Sequence, residues 1–226
     1  MLSLNGPTQP KMKLLIFLVA ITCSVCWADL CCFPKQWEGT LSVLMPNSSQ
    51  GGLFSQDNVD ISVDMTGQRI REYVRSTGTI YLMFYKEGVG YMIDNSTCSK
   101  GSVSPWPSSA VCVPGDAKLL RKYQLGIKEK MNVIDYIFIT NSKTSGNMLE
   151  QTVRTVTDMC QPVEDKVMRK YSEWNSTDVY TVTYENITPG IKDPSVFNIP
   201  STCKSSTRKM TDASAEEVLS FRNVIY

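Results

Sequence analysis

Residues 59–74 read VDISVDMTGQRIREYV and decide the fold. From Val59 to Met65, apolar and polar side chains alternate, which is the pattern of a β-strand with one buried face. Turn-forming residues at 66–68 separate this run from a second one at 69–75. Two extended runs joined by a short turn predict an antiparallel hairpin.

Similar segments continue along the chain. Residues 79–85 (TIYLMFY) are apolar on both faces, as in a central strand, and the turn KEGVG leads into residues 91–94. Further strand candidates lie at 37–44, 119–127, 131–140, 151–157, 163–169 and 178–186, whereas the proline-rich segment 99–115 is typical of a long loop. About ten short strands predict an all-β fold, with two curved antiparallel sheets in a sandwich or half-open barrel.

Helix signals are confined to the C-terminal part of the chain. Residues 193–197 (DPSVF) place Pro194 at a first helical position, which predicts one short turn. Ser214 and Glu217 form a capping-box pattern ahead of an apolar run. We therefore expect a short C-terminal helix after Ser214.

The N-terminal region has the features of a secretory signal peptide. A lysine-flanked apolar run follows Met12 and ends in small residues at Ala28, and it is shorter than the roughly 20 apolar residues of a membrane-spanning helix. We predict a signal peptide at residues 1–28, with translation starting at Met1 or Met12, and a single domain at residues 29–226.

The cysteines and sequons also indicate export. Of the 8 cysteines, Cys23 and Cys26 fall in the predicted signal peptide, and the other six are Cys31, Cys32, Cys98, Cys112, Cys160 and Cys203. An even set without metal-type spacing predicts three disulfides in an oxidising compartment, and the residues alone allow 15 pairings. Sequons for N-glycosylation begin at Asn47, Asn95, Asn175 and Asn186.

Composition argues against several classes of function. The chain has no histidine, which removes Ser-His-Asp and Cys-His catalysis as well as His-ligated zinc. A formal net charge of +1, without a long basic run, argues against nucleic acid as the partner. Acidic pairs such as Glu164 and Asp165 leave a carboxylate-dependent glycosidase as the enzyme alternative. We predict a non-enzymatic protein.

Acidic side chains could supply a calcium site, because calcium prefers carboxylate and carbonyl oxygens. The sequence contains no contiguous calcium-binding loop, so any site would be assembled from separate segments. The candidates to inspect first are Asp57, Asp60, Asp64 and Asp94, with ordinary surface acids as the alternative.

Large apolar side chains on the predicted strands could line the concave side of a curved sheet and bind a lipid-like molecule. The same side chains could instead fill a solid core. The predicted pocket lining is Tyr81, Met83, Tyr85, Tyr91, Ile93, Tyr136, Phe138, Tyr180 and Val182.

Two segments resemble the hallmark blocks of the ependymin-related family. They are CCFPKQWEG at residues 31–39 and GIKDPSVFNIPSTC at residues 190–203. Between them, YKEGVGYMID at 85–94, CSK at 98–100 and DMCQPV at 158–163 occur in the order and spacing of that family. The resemblance covers essentially the whole chain after the signal peptide.

The resemblance implies a secreted or lysosomal, N-glycosylated protein whose curved sheets enclose a deep hydrophobic pocket, as in bacterial lipoprotein carriers. It also implies calcium binding, cell–matrix adhesion and a homodimer. Carried over to this chain, the disulfides of the family join Cys31 with Cys160 and Cys98 with Cys203, which leaves Cys32 and Cys112 for the third.

We therefore predict a secreted glycoprotein that binds a fatty acid, a phospholipid or another hydrophobic small molecule in its pocket, with calcium as a further ligand. The alternative is a matrix-associated adhesion glycoprotein in which the pocket is not the main function.

Overall fold

The computed structural model describes residues 31–47, 53–95, 97–103, 105–106, 111–142, 148–171 and 176–204. Within these ranges, eleven antiparallel strands form one continuous sheet, which confirms the predicted all-β antiparallel fold. The predicted signal peptide and the predicted helix after Ser214 lie outside the described residues.

The strands follow the chain as two meanders. The first contains β1 (Gln36–Asn47), β2 (Leu53–Asp64), β3 (Arg69–Val74), β4 (Thr79–Phe84), β5 (Val89–Asp94) and β6 (Thr97–Ser102). The second contains β7 (Lys118–Leu125), β8 (Met131–Ser142), β9 (Met148–Thr157), β10 (Pro162–Tyr171) and β11 (Ser176–Pro189).

Pairing of β1 with β11 joins the two meanders. The order across the sheet is β6-β5-β4-β3-β2-β1-β11-β10-β9-β8-β7. Leu41 lies opposite Tyr184, and Val43 lies opposite Val182. This ladder explains why one continuous sheet is found where the sequence pattern suggested two.

The predicted hairpins are present, and one predicted loop is wrong. Strands β2 and β3 are paired, with Asp64 opposite Arg69 next to the turn. Strands β4 and β5 are paired in the same way, with Phe84 opposite Val89. The sequence predicts a loop throughout segment 99–115, but its first residues belong to β6, which pairs with β5. Its sequence, TCSKGS, has no alternating apolar residues, so the period-of-two pattern does not mark it as a strand. It lies at the edge of the sheet and pairs only with β5.

The strand register defines two faces, since directly opposite residues in an antiparallel pair point the same way. Leu41, Val59 and Val74 lie opposite one another on consecutive strands, and each is at most 2% exposed. We call the side of the sheet that carries these residues the core face. The other side, called here the opposite face, holds a smaller cluster that includes Leu82, Tyr91 and Cys203.

A short N-terminal segment, residues 31–34, packs on the core face. The Phe33 N–H donates to the Val111 carbonyl oxygen at 2.8 Å, and the Phe33 ring meets the rings of Trp37 and Tyr184 edge-on. Burial of these three aromatic side chains, all less than a tenth exposed, anchors the segment through the hydrophobic effect.

Three disulfides connect distant parts of the described chain. They join Cys31 with Cys160, Cys32 with Cys112, and Cys98 with Cys203. These are the pairs that the family resemblance implies. The third bond fixes the C-terminal segment against the opposite face of β6.

The C-terminal segment contains the predicted short turn. It is a 3-10 helix at Pro194–Phe197, whose cap Asp193 accepts a hydrogen bond from the Ser195 N–H at 2.9 Å. Helix α1 (Ser201–Lys204) follows and carries Cys203. Neither of these described helices has the length or the apolar character required to cross a membrane.

We expect the double variant Cys98→Ala/Cys203→Ala to keep its β-sheet and to lose up to about 4 kcal/mol of unfolding free energy. The reason is that the bond closes a loop of 105 residues in the unfolded chain. Guanidinium denaturation followed by circular dichroism measures this loss. An unchanged midpoint would show that the bond does not restrain the unfolded state.

Candidate functional site

A cavity of about 470 Å³ lies on the core face of strands β2 to β5. This volume falls within the usual range of small-molecule pockets. The described residues that line it are Asp57, Val74, Thr77, Thr79, Tyr81, Met92 and Asp94. The register places the strand residues on one face, since Val74 lies opposite Thr79 and Tyr81 lies opposite Met92.

The cavity lining is amphipathic. Val74, Tyr81 and Met92 supply apolar surface, and the first two belong to the main hydrophobic core. Two threonines and two aspartates supply the polar groups, and the Thr77 hydroxyl donates to Thr79 Oγ1 at 2.8 Å. Such a lining suits a molecule with an apolar body and a polar end.

The structure divides the nine predicted pocket residues between the two faces. Tyr81 lines the cavity, and the members on the core face or packed into its core are Met83, Tyr85, Tyr136, Phe138, Tyr180 and Val182. The inclusion of Tyr91 and Ile93 is corrected, because both lie on the opposite face with Leu82. The pairing register of β4 with β5 is what places Met92, and not its neighbours Tyr91 and Ile93, on the face with the cavity.

Sequence reasoning missed two buried ion pairs on the core face. Arg154 donates from Nε and Nη2 to the Asp165 carboxylate at 2.9 and 2.7 Å. Its Nη1 donates to the Cys112 carbonyl oxygen at 3.2 Å, and its guanidinium lies 5.1 Å from the ring centre of Phe33. The Tyr184 hydroxyl donates to the same carboxylate at 3.1 Å.

This environment keeps Arg154 charged. Burial alone would lower the pKa of Arg154, but attraction to the Asp165 carboxylate outweighs it and raises the pKa. Burial, together with the same carboxylate, raises the pKa of Tyr184 well above its usual value. The phenol therefore stays protonated and remains a donor to Asp165.

A second pair lies near the end of the same strands. Arg169 Nε donates to Glu150 Oε2 at 2.7 Å, and both side chains are at most a tenth exposed. The Arg169 guanidinium lies 4.8 Å from the ring centre of Tyr180. In contrast to Arg154, it has a buried nitrogen, Nη2, for which the described residues supply no hydrogen-bond acceptor.

The four aspartates considered as calcium ligands differ in location: two are bonded to arginine side chains, and two line the cavity. Asp60 accepts from Arg75 Nε at 3.1 Å, and Asp64 accepts from Arg69 Nε at 2.9 Å. Asp57 and Asp94 line the cavity. Among the described residues, no three acidic or cysteine side chains are grouped as metal ligands.

Two sequon asparagines are exposed. Asn95 follows β5 and Asn186 lies on β11, and both have a positive φ, at 51° and 53°. Asn47 ends β1, and the placement of its side chain is outside the described part of the structure, as is Asn175 altogether.

We predict that Arg154→Met lowers the unfolding free energy by about 3 to 5 kcal/mol, because it leaves the Asp165 charge buried without compensation. The matched control is Lys166→Met, which breaks a more exposed pair with Glu164 and is expected to cost no more than about 1 kcal/mol. Urea denaturation of both variants measures the difference. Equal losses would contradict the assignment of the buried pair.

The second prediction concerns acid stability. Burial would raise the pKa of Asp64, but hydrogen bonds from the Gly67 N–H, Gln36 and Arg69 outweigh it, so the pKa lies below its usual value. The stabilisation that follows is present above the unfolded pKa of about 4 and is lost as the pH falls through the lower folded pKa.

Asp64→Asn should therefore be less stable than the parent at neutral pH and lose less stability between about pH 4 and pH 2. The exposed Asp116→Asn is the control. Urea denaturation across this range measures the slope, and a slope unchanged by Asp64→Asn would exclude the assigned role.

Comparisons with known proteins agree with the sequence blocks. The ependymin family model matches residues 74–203. Ependymin-related protein 1 of Haliotis asinina is 31% identical over 203 residues, which cover 84% of this chain and 97% of that protein. Mammalian ependymin-related protein 1 of Mus musculus is 27% identical over 194 residues, which cover 80% of each chain.

Among solved structures, a LolA superfamily protein from Nitrosomonas europaea matches with a TM-score of 0.39 and 9% identity, covering 74% of this chain and 92% of that one. The family model spans more than half of the chain, and the Haliotis asinina relative is similar over nearly its whole length. The chain therefore belongs to the ependymin family.

Proposed function

We propose that this protein is a secreted, non-enzymatic binder of a hydrophobic, lipid-like molecule, which it holds on the core face. The observation that carries the proposal is the cavity of about 470 Å³ whose apolar walls are continuous with the main core. Val74 and Tyr81 belong to both. A ligand there would cover apolar surface and gain from the hydrophobic effect.

The disulfides support a protein that keeps such a cavity open. Unfilled apolar volume reduces stability, because the lining loses packing contacts. Cross-links that close loops of 80 to 129 residues destabilise the unfolded chain and so offset this loss. The same bonds favour an oxidising compartment, and exposed Asn95 and Asn186 are suitable for glycosylation.

A matrix-associated adhesion glycoprotein is the second candidate function. It is favoured by exposed apolar side chains on the opposite face of β1 and β8 to β11, each at least 40% exposed: Leu44, Ile139, Leu149, Met168 and Val179. Contact with a partner, including a second copy of the chain, would cover them. Calcium binding stays a proposal, with Asp57 and Asp94 as the first residues to substitute.

Mass spectrometry of an organic extract tests the main proposal. Protein purified without detergent should release a lipid-like molecule in a constant ratio to the chain. An extract that repeatedly contains none, together with a protein that takes up no added hydrophobic dye, would contradict it.

We further expect Thr77→Trp to weaken the uptake of Nile red by tenfold or more, because an indole at this exposed turn position would occupy the cavity. Glu87→Trp is the matched control in the next turn, since Glu87 is exposed and does not line the cavity. Fluorescence titration compares the two. Equal binding by both variants would place the dye elsewhere.

A further inference from the structure

The two most exposed large apolar side chains of the described residues lie in neighbouring turns at one end of the sheet. Ile127 is 95% exposed in the turn between β7 and β8, and Met159 is 74% exposed in the turn between β9 and β10. The Asp158 N–H donates to the Asn132 carbonyl oxygen at 3.3 Å, which places the second turn beside the start of β8. Exposed apolar residues that are scattered singly need no explanation, but two in adjacent turns begin a patch.

Two further apolar side chains extend this patch. Leu125 and Met131 lie directly opposite each other where β7 ends and β8 begins, and they are 37% and 39% exposed. We call Leu125, Ile127, Met131 and Met159 the apolar tip. Turns are usually built from Gly, Pro, Asn, Asp or Ser, so the turn itself does not require isoleucine at residue 127.

The turn that carries Ile127 has a defined backbone. Gly126 has a φ of 92°, in the left-handed region that favours glycine. The Glu129 carbonyl oxygen occupies the space that a Cβ at residue 126 would need, so a larger side chain there would disrupt the turn. The chain thus forms a tight turn at this position, and the isoleucine side chain stays in solvent.

Lysines surround the apolar tip. Lys122 lies on β7, and Lys128 and Lys130 belong to the same turn as the exposed isoleucine. The ion pairs formed among the described residues include none of these three lysines. Over residues 118–131, five basic residues accompany a single acid, Glu129. The tip therefore combines exposed apolar side chains with positive charge that is not paired locally.

This combination matches the surface of a bilayer that contains anionic lipids. Such a surface offers phosphate groups to lysines and hydrocarbon to apolar side chains that enter it. A second copy docked through the same tip would bring like charges together, and a nucleic acid would leave the apolar side chains without a matching surface. Asp158, in the neighbouring turn, reduces the positive charge, but with Glu129 included the lysines at the tip still outnumber the acids.

We propose that the apolar tip docks onto anionic phospholipid bilayers. Ile127 and Met159 enter the interface, and Lys122, Lys128 and Lys130 contact phosphate groups. The docking is peripheral and reversible, because a few apolar side chains bury far less surface than a spanning segment of about 20 residues. This inference does not rest on the proposed function, since the cavity belongs to β2 to β5 and the tip to β7 to β10.

Flotation with liposomes on a density gradient tests the docking. The protein purified from culture medium, without its predicted signal peptide, should float with phosphatidylcholine vesicles that contain about 30% phosphatidylserine. It should not float with vesicles of phosphatidylcholine alone. Salt at about 1 M should release most of the bound protein, because the Debye length falls to about 3 Å. Equal flotation with both kinds of vesicle would overturn the role of the lysines, and flotation with neither would overturn the proposal.

Substitutions at exposed positions locate the contact. Ile127→Ser should weaken binding by about tenfold, since it removes an apolar side chain that enters the bilayer. Lys128→Gln/Lys130→Gln should weaken it by about thirtyfold at low salt, because each lysine near an anionic surface contributes about a factor of five. The controls are Leu120→Ser, 53% exposed at the other end of β7, and Lys170→Gln, exposed at the far end of β10. Both controls should bind like the parent.

The remaining outcomes separate the alternatives. If Leu120→Ser binds as weakly as Ile127→Ser, the bilayer contacts the whole edge strand, and the assignment to the tip is overturned. If Ile127→Ser abolishes a dimer of the parent that vesicles do not dissociate, the tip is an interface between copies, and the proposal fails. Nile red uptake should be unchanged by Ile127→Ser. A protein that floats but takes up no dye keeps the docking and loses the proposed function, and one that takes up dye but does not float shows the reverse.

Discussion

The buried pair of Arg154 and Asp165 is the interaction on which the centre of the structure depends. Two charges on an apolar sheet face each cost several kcal/mol to remove from water, so the fold must supply matched partners. Strands β9 and β10 supply the pair, β11 adds the Tyr184 hydroxyl, and Cys112 adds a carbonyl oxygen. Phe33 then covers the guanidinium. The need to compensate these two buried charges thus brings five separate chain segments together.

This arrangement has a functional consequence. Because Arg154, Asp165 and Tyr184 bond to one another, they leave no uncompensated charge at the centre of the core face, which suits the binding of a hydrophobic molecule nearby. The cavity of about 470 Å³, lined in part by Tyr81, provides volume for the proposed ligand. The disulfides hold the N-terminal and C-terminal segments against the sheet while that volume stays open.

Local sequence patterns predicted most of the strands but not the site. In the first strand of the hairpin at residues 59–74, apolar and polar side chains alternate, and this pattern can be recognised from neighbouring residues alone. By contrast, β6 has no such pattern, and the face on which Tyr91 lies depends on the register across a turn. The pairing of Arg154 with Asp165 depends on alignment of β9 with β10, and charged residues on a strand are otherwise expected in water.

The most direct test of ligand binding on the core face is residue-resolved photolabelling. A methyl ester of a diazirine-bearing sixteen-carbon fatty acid would be cross-linked to the protein and the labelled residues identified by mass spectrometry. Neighbouring residues on a strand point to different faces, so the result is unambiguous. Binding in the cavity predicts labelling of Tyr81 and Met92, which line it; labelling of the exposed Leu44, Met168 and Val179 on the opposite face instead would contradict it.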